Sequence, residues 1–198
     1  MMEPFYRRPG ELQLTVELLA ASGLQPGSKI LDGGCGSGAT VTWLREQGYD
    51  AWGIDRDPSE AMWLQKGELT RLPWAEESFD GYVAECTLAI CGDIRASLQE
   101  AQRVLRPGGR LMIADVYDRL IEAASPILSR EGWQRLLAET GFTLLWWADR
   151  SEHWKTFVVE ALWAGASWTD LTCGLSEQQS VGKIGYFILV GSKREEDK

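Results

Sequence analysis

Apolar positions along the chain switch between helical and strand spacing. The opening segment PGELQLTVELLAASG puts Leu12, Val16 and Leu19 on one side, with Pro9 near its start and Gly23 at its end, and predicts a helix. A short apolar run, Lys29 to Asp32, follows as a buried strand. GATVTWLREQG then reads as a helix closed by Gly48, and YDAWGID as a second strand ending at Asp55. The pattern thins over RDPSEAMWLQKGELTRLPWAEES, which has room for one short helix and a brief strand. FDGYVAECTLAI is a strand, and DIRASLQEAQRVLRPGG a helix with Leu98, Ala101, Val104 and Leu105 on one side, stopped by Pro107 and two glycines. RLMIADVYD is a strand, SREGWQRLLAETG a helix opened by Ser129 and closed by Gly141, and FTLLWWAD a strand. SEHWKTFVVEALWAG is a helix capped by Ser151, and KIGYFILVGSK is the last strand, ahead of the solvated tail REEDK.

Strands alternating with helices predict an α/β fold, a mostly parallel sheet covered by helices on both faces, with a reversed edge strand near the end. The 198 residues suit one domain: an N-terminal helical cap over 1–23, a core over 24–118, and a C-terminal half over 119–198 on the acceptor side.

Composition narrows the function. The net charge of −9 opposes non-specific binding to nucleic acid or an anionic membrane, which needs clustered Lys and Arg. No run approaches the about 18 apolar residues of a spanning helix, and MMEPFYRRPGELQL has no signal-peptide core, so a cytoplasmic location is expected. Oligomeric state stays open. Cys35, Cys86, Cys91 and Cys173 form no CxxC pair, and His153 is the single histidine, so no metal site is expected. Of the ten tryptophans, most are assigned to core or pocket wall, and Trp146 and Trp147 must face opposite sides of a strand.

The segment ILDGGCGSGAT, Ile30 to Thr40, carries the strongest chemical signal. Its glycines, Gly33, Gly34, Gly36 and Gly38, sit where a first strand meets a helix, and in a parallel sheet ligands bind beyond such strand ends. Gly34, Gly36 and Ala39 fit a dinucleotide fingerprint, and Asp55 at the end of the second strand suits ribose hydroxyls. Asp32 points elsewhere: a carboxylate ahead of the loop repels a pyrophosphate and attracts an ammonium or sulfonium. A nucleoside with a cationic amino-acid tail meets both demands.

KILDGGCGSGAT, WGID, LPWAEESFDGYVAE and EAQRVLRPGGRLMIADVY, in that order, resemble the class I S-adenosylmethionine-dependent methyltransferase family over about residues 24–118. The resemblance implies a Rossmann-like three-layer sandwich with a seven-stranded sheet and a reversed last hairpin. It implies S-adenosyl-L-methionine as cofactor and S-adenosyl-L-homocysteine as product. It places Asp32, Gly34, Gly36 and Gly38 on the methionine side, with Gly33 in the same loop, and Asp55 on the ribose with Arg56 beside it. One departure stands out: only eleven residues separate Asp55 from Gly67, so the third strand must be shortened or lost. KGELTRLPW resembles the family's adenine segment, with Glu68 and Leu69 in its last two places.

Methyl transfer from a sulfonium needs alignment and exclusion of water, and a base only for a protonated nucleophile, so the acceptor stays open. A small-molecule acceptor is expected. Residues beyond the fourth and fifth strands are its candidates: Glu85, Cys86 and Tyr117 for catalysis, with Cys91, Asp115 and Asp118 nearby. The run SFDGYVAECTLAICGD…VLRPGGRLMIADVYDR is similar to the arsenite methyltransferase branch, which implies thiolate binding of a metalloid by Cys86 and a late cysteine such as Cys173. The alternative for each cysteine is a small buried apolar group. His153 is assigned to a cap or the surface; Tyr6 and Arg7 are candidates to close over the cofactor. A non-catalytic cofactor-binding partner module and a NAD-type oxidoreductase complete the alternatives.

Overall fold

Strand β1 (Lys29–Gly33) is an inner strand, third of seven, in the computed structural model, which describes residues 8–120, 127–167 and 183–195. It pairs in parallel with β2 (Asp50–Asp55) on one side and β4 (Phe79–Glu85) on the other, so that Asp32 is level with Gly53 and Val83. The short β3 (Leu64–Lys66) borders β2, and β5 (Leu105–Asp118) borders β4. β7 (Ile184–Lys193) runs antiparallel between β5 and β6 (Phe142–Asp149), giving a seven-stranded order β3-β2-β1-β4-β5-β7-β6. The reversed strand is therefore internal, where the sequence suggests an edge. The short third strand is present in three residues, and 56–63 form bends and turns with no helix.

Strand alternation splits the core into two apolar layers. Leu31, Ile54, Tyr82, Ala84, Ile113 and Phe187 face α3 (Ile94–Val104) and α4 (Arg130–Glu139). Ile30, Val83, Met112, Tyr186 and Ile188 face α1 (Glu11–Ser22), α2 (Ala39–Glu46) and α5 (Ser151–Trp163). Each side chain buried this fully contributes about 1.5–3 kcal/mol. Trp147 packs with the first layer and Trp146 with the second, as their adjacency on a strand demands. Six tryptophans are half-buried against these layers and Trp133 and Trp154 lie inside them, while Trp163 is 90% exposed.

Three local expectations are corrected. The inward face of α1 is centred on Leu14 and Leu18, with Leu19 half-buried at its edge; Val16, expected inside, is exposed, because Thr15 turns inward in its stead. Helix α3 ends at Val104, and Leu105 takes extended geometry to start β5, so Arg106–Gly109 belong to the strand segment. Ser151 does not cap α5: the Asp149 carboxylate accepts from the Ser151 amide at 2.8 Å, while Ser151 Oγ accepts from the Tyr186 amide at 3.1 Å. Helix α4 does open on Ser129, whose hydroxyl accepts from the Gly132 amide.

Candidate active site

The parallel strands deliver their carboxyl ends to one cleft. Gly34 comes from the turn after β1, Asp55 and Arg56 from the end of β2, and Glu68 and Leu69 from the turn after β3. Glu85, Cys86, Thr87, Ile90 and Cys91 come from the end of β4 and the 3-10 turn Leu88–Ile90 that follows.

The glycine turn has two kinds of member. Gly34, at φ +81°, lines the cleft, and a Cβ there would meet Thr87 at 2.3 Å, so the β1 and β4 turns touch through a bare backbone. Gly36 donates its amide to Asp55 at 3.0 Å, and Asp55 also accepts from the Asp57 amide, which fixes the carboxylate at the cleft wall. Gly33 and Gly38 are spacing residues: a Cβ at Gly33 would meet Tyr82 Oη at 2.0 Å, and one at Gly38 would meet Leu64 at 2.6 Å.

Asp32 lies beneath this turn at 4% exposure. Burial, with the nearby Glu85 carboxylate, pushes its pKa up to about 8, against the relief given by Arg8. Glu85 is itself buried and accepts from Thr15 Oγ1 at 2.9 Å and Thr40 Oγ1 at 3.2 Å, with Arg8 Nη2 at 3.1 Å. Arg8 also donates to those two threonines. With Glu85 paired to Arg8, an ionised Asp32 would have no cation of its own, so a cationic ligand beside it favours release of its proton.

The three described cysteines sit where the thiol is favoured over the thiolate. Cys86, in the left-handed region at φ +54°, shares a hydrogen bond with Tyr186 Oη at 3.0 Å. Burial pushes its pKa up to about 12, and burial likewise raises that of Cys91. Cys35 is packed in the second core layer, its thiol also pushed up by burial. Soft-metalloid capture needs thiolates, so these environments oppose the arsenite-like alternative. Cys173, Tyr6 and Arg7 lie outside the described residues.

Tyr117 stands apart from the cleft. Its hydroxyl donates to Asp149 at 2.5 Å, and its ring packs edge-on against Trp147 and Phe187. Asp118 is buried and accepts from the Leu120 amide. His153 sits in the first turn of α5, facing Gly10 at the start of α1.

Arg8, Thr15, Thr40, Thr87, Ile90 and Tyr186 were not marked by the sequence. Thr87 and Ile90 had a usable signal, since they directly follow a strand end; the others reach the site from distant segments.

The arrangement fits S-adenosylmethionine by the chemistry of its donors: fixed Asp55 for vicinal hydroxyls, and buried Asp32 and Glu85 for a positive amino-acid tail. A methyltransferase-domain family model matches residues 31–113. A demethylmenaquinone methyltransferase of Mycolicibacterium paratuberculosis is 30% identical over 181 residues, 79% of this chain and 76% of the relative. The chain belongs to the class I S-adenosylmethionine-dependent methyltransferase family. The O-methyltransferase resE of Aspergillus sclerotiorum is 33% identical over 69% of this chain and 63% of its own length. Among solved structures, the [4+2]-cyclase SpnF shares the fold at a TM-score of 0.74 and 21% identity, covering 97% of this chain and 85% of its own. The geranyl diphosphate C-methyltransferase of Streptomyces coelicolor A3(2) does so at 0.71 and 17% identity, covering 92% and 77%. This class I methyltransferase uses S-adenosylmethionine as its cofactor, which supplies an electrophilic methyl group on a sulfonium. In this methyltransferase the seven-stranded sheet with its internal reversed strand belongs to the Rossmann-like fold shared with these solved structures.

Proposed function

We propose that this methyltransferase moves the cofactor's methyl group to a small, uncharged organic acceptor that enters over the turn after β4. The observation that carries this reading is the division of charge along the cleft. Asp55, Arg56 and Glu68, after β2 and β3, bring charge to the wall, while beyond Glu85 the turn after β4 adds Cys86, Thr87, Ile90 and Cys91, only apolar or neutral polar groups. Asp55 is the residue for the ribose hydroxyls, with Arg56 beside it. Glu68 and Leu69 flank the adenine. Gly34 and Gly36 let the backbone approach the methionine portion, where Glu85 and the buried Asp32 answer its positive charge. Cys86 is a neutral wall of the acceptor space, not a nucleophile.

The relatives' names, demethylmenaquinone methyltransferase and O-methyltransferase, support an aromatic or quinol acceptor for this chain. The test is transfer of labelled methyl from S-adenosylmethionine to a panel of naphthoquinols, phenols and small amines. Turnover on the uncharged ring compounds alone is expected; preference for the amines would overturn the acceptor class. Calorimetry with S-adenosylhomocysteine on the wild type and Asp55→Ala tests the ribose assignment, with a loss of at least tenfold in affinity expected.

A further inference from the structure

The cleft wall after β4 turns sharply. Cys86 leaves the strand in left-handed geometry, its amide still bonded to the Ala114 carbonyl of β5 at 2.8 Å, and the chain then winds into the Leu88–Ile90 turn. A non-glycine residue in that region costs about 1–3 kcal/mol, so something must hold the bend.

The neighbouring strand supplies the holder. Asp115 of β5 is 2% exposed, and its Oδ2 accepts from the Ala89 amide at 3.0 Å, while Oδ1 accepts from its own neighbour Val116 at 2.8 Å. Burial pushes the Asp115 carboxyl up to about 6, against the relief given by the nearby backbone amides. The Ala89 amide, in the first part of the turn, thus ends on a carboxylate from another strand. The segment so fixed carries Cys86, Thr87, Ile90 and Cys91, four members of the cleft wall. Thr87 in turn abuts Gly34 of the cofactor loop.

We infer that Asp115 is a positioning residue of this enzyme: its buried carboxylate clamps the backbone of the turn after β4 at Ala89 and so sets the shape of the wall between cofactor and acceptor. It touches neither ligand. The inference that the clamp shapes the ligand wall rests on the cleft's assignment above, whereas the clamp itself does not.

The test compares the wild type with Asp115→Ala and Asp115→Asn. Thiol labelling by N-ethylmaleimide, resolved by peptide mass spectrometry, reports the loop directly. Labelling of the peptide holding Cys86 and Cys91 is expected to accelerate at least tenfold in Asp115→Ala and less in Asp115→Asn, which keeps one carbonyl acceptor. Labelling of Cys35, in the core, should stay within twofold. Unchanged labelling at Cys86 and Cys91 overturns the clamp, as does equal acceleration at all three cysteines, which would mark general loosening. In the wild type, hydrogen exchange at the amide of Ala89 must be protected; unprotected exchange overturns the clamp even if both variants fail to fold. S-adenosylhomocysteine affinity is expected to fall about tenfold in Asp115→Ala. Failure of the wild type to bind it would sink the cofactor assignment while leaving the labelling result to stand or fall separately.

Discussion

Arg8 and Glu85 meet at 3.1 Å with side chains 15% and 3% exposed, and this pair joins the segment before α1 to the end of β4 at the cofactor cleft. Arg8→Ala leaves a buried carboxylate served by Thr15 and Thr40 alone. A hydrogen bond to a charged group is worth about 1.5–3 kcal/mol, so a loss of about 2 kcal/mol is expected, seen as a drop in Tm of roughly 4–8 °C. Adding Glu85→Gln should recover most of it. Additive losses in the double mutant would show that the two side chains do not act as a pair.

Asp32 sets function against stability. Its pKa is raised to about 8 in the folded protein from an ordinary 3.8, chiefly by burial. Between those values the folded state holds a proton that the unfolded state releases. Wild-type stability therefore declines as pH rises from about 4 to about 8. Asp32→Asn removes this dependence. Its Tm should exceed that of the wild type by several degrees at pH 8 and match it near pH 4, while S-adenosylmethionine affinity falls about 100-fold. A pH-independent gap in thermal scans would refute the assignment.

The same group predicts a proton signal on binding. At pH 7 a cationic ligand arriving beside Asp32 should expel its proton. Calorimetry in buffers of different ionisation enthalpy should then show close to one proton released, a signal that vanishes at pH 9 and is absent in Asp32→Asn. Equal heats in all buffers at pH 7 would contradict it.

Tyr117 offers a clean separation of structure from chemistry. Tyr117→Phe loses the hydrogen bond to Asp149 and should cost about 1 kcal/mol, with kcat kept within twofold. A fall in kcat beyond tenfold at unchanged Tm would restore the catalytic role that the sequence suggests.

Tyr82 carries a fully buried hydroxyl that meets no hydrogen-bond partner among the described residues. Tyr82→Phe should therefore raise stability by about 1 kcal/mol. The gain should be larger in a Gly33→Ala background, where the added Cβ would otherwise collide with that oxygen. Chemical denaturation of the four variants measures the coupling; a destabilised Tyr82→Phe would mean the hydroxyl has a bonding role.

Much of this was legible in the sequence because the fold's signals are local. Strand and helix periods, Gly23, Gly48 and Gly141 at helix ends, and Asp32 and Asp55 at strand ends all speak through near neighbours. What failed was decided by distant contacts. Val16 lost its place inside because Thr15 on the adjacent face is drawn to Glu85. Leu105 left the helical pattern because β4 offered Phe79 as a pairing partner. The Tyr117 hydroxyl is tied to β6 because Asp149, on another strand, accepts from it. The reach of Arg8 into the acid cluster has no counterpart in spacing or composition at all.

The placement of β7 between β5 and β6 bears on how the chain acquires its shape during synthesis. Strand β6 leaves the ribosome first but has no neighbour until β7 has been made and slotted between it and β5. Until then two strand edges stand open, with the aromatic faces of Tyr117 and Trp147 waiting for Phe187. A nascent or truncated chain stopped before Ile184 would present sticky margins on both sides of a gap, so premature termination here selects for aggregation more than for partial activity.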